Sequence, residues 1–102
     1  MKQISSFARG AQIVKDYLSK VTNEPGVYFM YNRDKTILYI GKAKNLSKRI
    51  SSYSKPSNMS LRIQRMVSQI FSIDIITTEH EASALLLEAN MIKKHKPKFN
   101  IL

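Results

Sequence analysis

Apolar residues recur at helical spacing through Phe7, Ala11, Val14, Leu18 and Val21, so residues 4–20 are expected to form an amphipathic helix. Pro25-Gly26 ends that pattern. The next residues run Gly26-Val27-Tyr28-Phe29-Met30-Tyr31 and Ile37-Leu38-Tyr39-Ile40-Gly41, aromatic and β-branched, around the polar stretch Asn32-Arg33-Asp34-Lys35. Two such runs about a turn sequence predict a β-hairpin, with strands near 27–31 and 36–41. Asn45 is the expected N-cap of a short helix reaching Tyr53, and a loop over 54–58 contains Pro56. Ile63, Met66, Val67 and Ile70 mark a further helix over 60–70, and residues 71–78 read as a third strand.

Thr78 and Glu81 have the spacing of a capping box. The helix they would open, from Glu81 to Lys94, is apolar over most of its circumference, which predicts a buried helix. Pro97 stops it. The order α-ββ-α-α-β-α defines an α/β domain with a small, mostly antiparallel three-stranded sheet flanked by helices. One domain over 1–102 is expected, with an N-terminal helix in 1–22 and a core in 25–102. The abrupt end at Lys98-Phe99-Asn100-Ile101-Leu102 reads as the first domain of something longer.

Charge narrows the function. Lys and Arg number 17 against 7 Asp and Glu, a net charge of +10. That balance favours polyanions, nucleic acid ahead of an anionic membrane surface. No apolar run approaches the ~20 residues needed to span a bilayer. Cysteine is absent, which excludes a disulfide framework, a thiolate zinc site and a cysteine nucleophile, and fits a cytoplasmic setting. Between Lys35 and Ile73 no acidic residue occurs, while Lys42, Lys44, Lys48, Arg49, Lys55, Arg62 and Arg65 accumulate. A second basic cluster is Lys93, Lys94, Lys96 and Lys98. Both stretches are expected to follow a phosphate backbone rather than form solvated faces.

With residues 32–35 as the loop, Tyr31 would pair with Thr36 and Tyr28 would stand opposite Tyr39. Facing Cβ atoms on one side of such a ladder are about 5 Å apart, so two phenols would serve one spot. The alternative is a pair of core aromatics. Glu88 lies in the apolar arc of the last helix, where an uncompensated carboxylate is costly. It is either a metal ligand, with Mg²⁺ or Mn²⁺ the natural ion beside phosphate, or an ion-pair partner for a lysine such as Lys93, or a solvated helix edge. Arg49 and Tyr53 stand four apart on one helix face. Arg49 suits either a phosphate oxygen or a solvated basic face, and Tyr53 suits packing beside Ile50. Lys42 would favour a phenolate if it approached Tyr39; otherwise it is a solvated turn lysine.

Gly26-Val27-Tyr28 followed by Tyr39-Ile40-Gly41 resembles the paired signature of the GIY-YIG nuclease superfamily. Further segments extend the likeness: Gly41-Lys42-Ala43-Lys44-Asn45-Leu46, Arg49, Ser52-Tyr53, Leu86-Leu87-Glu88-Ala89-Asn90 and Lys96-Pro97-Lys98-Phe99-Asn100. Residues 25–102 are similar to the N-terminal endonuclease domains of the UvrC branch, with Val27 where the motif usually has Ile. The resemblance implies a Mg²⁺- or Mn²⁺-dependent endonuclease making the 3′ incision of bacterial nucleotide excision repair. By position, Glu88 would be the sole protein metal ligand and Tyr39 the general base. Tyr28 would orient water or phosphate, and Arg49 would stabilise the transition state with support from Lys42 and Tyr53. Asn100 would hydrogen-bond within the site. DNA contacts would fall to Lys42, Lys44, Lys48, Arg62, Arg65, Lys96 and Lys98. Damaged duplex DNA and, in longer members, UvrB would be the partners, and the isolated domain is expected to be a monomer. A small free-standing GIY-YIG nuclease and a non-catalytic basic nucleic-acid-binding module are the alternatives.

Overall fold

The computed structural model describes residues 6–55 and 58–100. The expected helix start at residue 4, Pro56 in the loop and the chain end at 101–102 lie outside them. The elements follow the expected order: α1 Ser6–Tyr17, β1 Gly26–Tyr31, β2 Ile37–Ala43, α2 Leu46–Ser51, α3 Leu61–Val67, β3 Ser72–Thr77 and α4 Glu81–His95. Short 3-10 turns, Leu18–Lys20 and Ser52–Ser54, extend α1 and α2 and fill out the helical stretches expected there. The sheet is β2-β1-β3 with β1 in the centre, antiparallel to both neighbours.

β1 is buried on both faces, and this divides the core. Tyr28 and Met30 point to one side, against Val14 of α1, Leu46 and Ile50 of α2, and Met66 and Val67 of α3. Val27 and Phe29 point to the other, with Ile40, against Ala84 of α4. The period-2 alternation of one strand thus feeds two helical layers. Close approach of α1 to α3 depends on Gly10, where a Cβ would run into the backbone carbonyl of Val67.

Three local expectations are corrected. The hairpin closes later than its sequence suggests. Asn32 N donates to Thr36 O, and the Asn32 side chain accepts from the Asp34 and Thr36 backbone N–H groups. Lys35 takes a left-handed conformation with φ 64°, the arrangement of a turn followed by a bulge residue. A second irregularity leaves Tyr31 opposite Ile37 and Met30 opposite Tyr39. Tyr28 therefore faces Gly41, not Tyr39. The shift at the tyrosines is two residues, so both still share a face.

Nor does the capping box form. Thr78 N donates to Pro25 O, which prolongs the strand, and the helix N-cap is His80 without a side-chain cap. Finally, α4 is not buried all round. Only Ala84 is fully buried, whereas Leu85 and Leu86 are exposed. One helix on one sheet face has one covered flank, however apolar the rest. By contrast Asn45 caps α2 as expected, its side chain accepting from Lys48 N at 3.0 Å.

Candidate active site

An open cleft of about 1010 Å³ runs past the edge strand β2. Tyr28, Tyr39 and Gly41 of the hairpin line it. So do Lys42, Lys44, Lys48 and Arg49 from the β2–α2 segment, and Glu88 from α4. β2 ends at Ala43 and Asn45 caps α2 two residues later, so the basic run turns straight from strand into helix.

Gly41 explains how the shifted register still brings the phenols together. A Cβ there would collide with the ring and hydroxyl of Tyr28. Without one, the Tyr28 ring lies across the strand, and its centroid comes within 6.1 Å of the Tyr39 ring. The Tyr28 hydroxyl is hydrogen-bonded to that of Tyr53 at 2.6 Å, and Arg49 Nε donates to the same oxygen at 3.4 Å. Tyr28, Tyr53 and Arg49 thus form one network. The expected packing of Tyr53 beside Ile50 is accompanied by a polar partner 25 residues away.

The environments of the tyrosines differ. Tyr28 is fully buried, and burial, followed by the neighbouring Tyr53, pushes its pKa well above the ordinary phenol value. Burial also raises Tyr53. Arg49 is held protonated more firmly than usual, chiefly by its hydrogen bond to Tyr28. Tyr39 is half-buried and lines both the cleft and a smaller groove that Tyr53, Lys55 and Ile63 also line.

The raised values carry a stability consequence. Below pH of about 10 both folded and unfolded chains keep their phenol protons; above it the unfolded chain loses them first. Stability is therefore present in full below that pH and is lost as pH rises toward the folded values. Each such tyrosine can contribute a slope of up to ~1.4 kcal/mol per pH unit. Urea unfolding between pH of about 9 and 11 should show this loss, and Tyr28→Phe should flatten it. An unchanged slope would remove the buried phenol as its source.

Glu88 is half-buried and faces the cleft, rather than being enclosed in an apolar helix. It is the one acidic residue lining that cleft. Among the described residues no group of three or more His, Cys, Asp or Glu could hold a metal. A lone carboxylate in an open, cation-rich cleft fits Mg²⁺, which keeps several waters and takes one or two carboxylates plus phosphate oxygens. It does not fit zinc, which is almost always enclosed by three or four protein ligands.

The remaining expected residues are more dispersed. Asn100 does not line the cleft. Its side chain accepts from Ile40 N and donates to Ile40 O, both at 2.8 Å, acting as a strand partner for the open edge of β2. That fixes the backbone between Tyr39 and Gly41. Arg62 donates to Phe99 O at 2.8 Å and secures the same tail. Arg65 is exposed on α3, whereas Lys96 and Lys98 line a separate groove at the hairpin end. Asn23 and Ser52 also line the cleft; Ser52 belongs to the Ser52-Tyr53 segment of the likeness, whereas no spacing or pattern in the sequence singles out Asn23.

The fold and cleft are those of a GIY-YIG domain. Residues 24–101 match the UvrC-like GIY-YIG domain family. The UvrABC system protein C of Paramagnetospirillum magneticum is 44% identical over 95 residues, covering 93% of this chain and 15% of that protein. The protein of the same name from Pseudoalteromonas atlantica is 47% identical over 88 residues, covering 86% of this chain and 14% of the relative. Among solved structures, the magnesium-bound GIY-YIG N-terminal endonuclease domain of UvrC from Thermotoga maritima superposes with a TM-score of 0.78 at 36% identity. That match covers 86% of this chain and 96% of that one. The chain belongs to the UvrC-like GIY-YIG domain family. It spans about one-seventh of the length of the curated relatives it matches.

Proposed function

We propose that the domain is a divalent-metal-dependent DNA endonuclease, and that it serves the 3′ incision of nucleotide excision repair. The observation that carries the reading is the cleft itself, where Glu88 meets Arg49, Lys42, Tyr28 and Tyr39. The Thermotoga domain, bound to its catalytic magnesium, supports the same chemistry. The role in repair, with damaged duplex as substrate and UvrB as partner, rests on the UvrABC relatives. Among the described residues no helix is long and apolar enough to cross a membrane.

Bound at Glu88, Mg²⁺ or Mn²⁺ would act as a Lewis acid on the scissile phosphate. The chain's own residues divide the remaining work. Tyr39, which lines the cleft, would accept the proton of the attacking water as its phenolate. Tyr28 is poorly suited to that role, because burial and the Tyr53 bond hold its proton. It acts instead as a fixed hydroxyl, oriented by Tyr53 and Arg49, that positions water or phosphate. Arg49 is firmly cationic and pre-positioned by Tyr28, which suits it to stabilise charge that grows in the transition state. Lys42, Lys44 and Lys48 guide the backbone into the cleft.

Arg49→Ala should lower the cleavage rate by about 10² or more. DNA affinity should change little, because neighbouring lysines share the backbone contact. Single-turnover kinetics beside equilibrium binding measures both, and equal losses would make Arg49 an ordinary phosphate contact. The function itself is tested by nicking of supercoiled plasmid. Cutting is expected with Mg²⁺ or Mn²⁺ and not after chelation. Binding without cutting under any metal would favour the non-catalytic DNA-binding module.

A further inference from the structure

A second groove, of about 660 Å³, opens at the hairpin end of the sheet. Lys35, His95, Lys96 and Lys98 form its rim, and Phe29 and Tyr31 lie in its floor. No carboxylate lines it; Asp74, which is hydrogen-bonded to Tyr31, is not among its lining residues. The cleft, by comparison, carries Glu88 among its cations. One site has a place for a metal and the other has only positive charge.

Two of the rim lysines sit where a lysine is unfavourable. Lys35 has φ 64° and Lys96 φ 45°, and they are the two non-glycine residues with positive φ among those described. Lys35 occupies the bulge position of the hairpin turn, and Lys96 caps the C-terminus of α4, donating to Ile92 O. Both are positions that glycine usually fills. Left-handed backbone is strained for a residue with a Cβ. Strain retained at both positions, on one groove, points to a use for the ammonium groups.

The groove and the cleft both border α4. Glu88 and His95 are seven residues apart on α4, so they share a face about 10 Å apart along the axis. On β2, Gly41 faces the cleft beside Tyr28, whereas Ile37 faces the groove beside Tyr31 on the other side of the sheet.

We propose that this groove holds a backbone phosphate of the same DNA strand, beyond those adjoining the scissile phosphate in the cleft, on Lys35, Lys96 and Lys98. The groove is an anchoring site, with no part in bond breaking. The proposal rests on the endonuclease reading for the position of the cut. It sets the register of the strand: a phosphate held on one side aligns the scissile one against Glu88 and Arg49.

The test uses the Lys35→Gly/Lys96→Gly double variant, since glycine suits both backbone conformations. Binding of a labelled duplex should weaken, and the slope of log Kd against log salt should fall by about one. The thermal midpoint should hold or rise. An unchanged salt slope, or weaker binding accompanied by a lower midpoint, would overturn the proposal. A second arm uses duplexes carrying one neutral methylphosphonate at successive positions. Wild-type cleavage should weaken for a substitution beyond the phosphates adjoining the cut, and the double variant should be insensitive there. Sensitivity confined to phosphates adjoining the cut would also overturn it. The salt slope requires no cutting, so a protein that binds through the groove but never nicks DNA would refute the endonuclease reading alone.

Discussion

Tyr39→Phe is expected to lower the DNA cleavage rate by at least about 10², the scale of a lost general base, while leaving the fold intact. Tyr39 is half-buried, and its hydroxyl meets that of Tyr53 at the edge of the network that Tyr28 forms with Tyr53 and Arg49. Loss of its hydroxyl removes a group that faces the cleft and opens no hole in the core. Tyr28→Phe should behave in the opposite way. It leaves the buried Tyr53 hydroxyl without its 2.6 Å partner and Arg49 without its anchor. A lost buried hydrogen bond costs about 0.5–1.5 kcal/mol, so the thermal midpoint should fall. Its rate should fall less, since orienting water is easier to replace than deprotonating it. Single-turnover cleavage beside thermal unfolding of the two variants is the measurement. A Tyr39→Phe protein faster than Tyr28→Phe would exchange the two roles.

The route by which these tyrosines meet shows what the sequence carries and what it does not. Apolar periodicity and turn residues located every strand and helix in order, because those signals act over a few residues. They also put Tyr28 and Tyr39 on one face, since the register error was an even number. The register itself depended on Lys35 adopting a left-handed conformation and on a bulge near Leu38. Lysine is not a residue whose identity announces either. The same limit applies to Tyr53. Its neighbourhood in sequence suggested Ile50, whereas its hydroxyl partner arrives from a strand 25 residues earlier.

Long-range placement accounts for the other differences. The composition of α4 suggested an enclosed helix, but composition does not state how many neighbours a helix has. With the sheet on one side only, Leu85 and Leu86 remain exposed and Glu88 reaches the open cleft. Asn100 was expected among the site's polar contacts; it instead closes the backbone of Ile40 across 60 residues. Replacement of a strand neighbour by one amide side chain leaves no periodic trace in a sequence. The motif resemblance was the part of the reading that reached across such distances, because it relates residues by family position rather than by local pattern.

Glu88 carries the largest expected effect. Facing a cleft whose other charged residues are cations, this carboxylate is the one acidic group there available to a metal. Glu88→Gln keeps the shape of the side chain and removes its charge, so the helix and its packing on β2 should persist. Stability should hold or rise slightly, because a half-buried carboxylate loses solvation that an amide does not need to the same extent. Nicking should disappear at every Mg²⁺ concentration, whereas DNA binding in the absence of metal should persist or tighten as a negative charge leaves the cleft.

Titration of Mn²⁺, followed by its paramagnetic resonance and paired with plasmid nicking in the same samples, tests the account at its centre. Wild-type protein is expected to bind the ion and to nick in proportion to occupancy, and Glu88→Gln to do neither. Unchanged Mn²⁺ binding and nicking in Glu88→Gln would contradict the assignment of this cleft as the metal site.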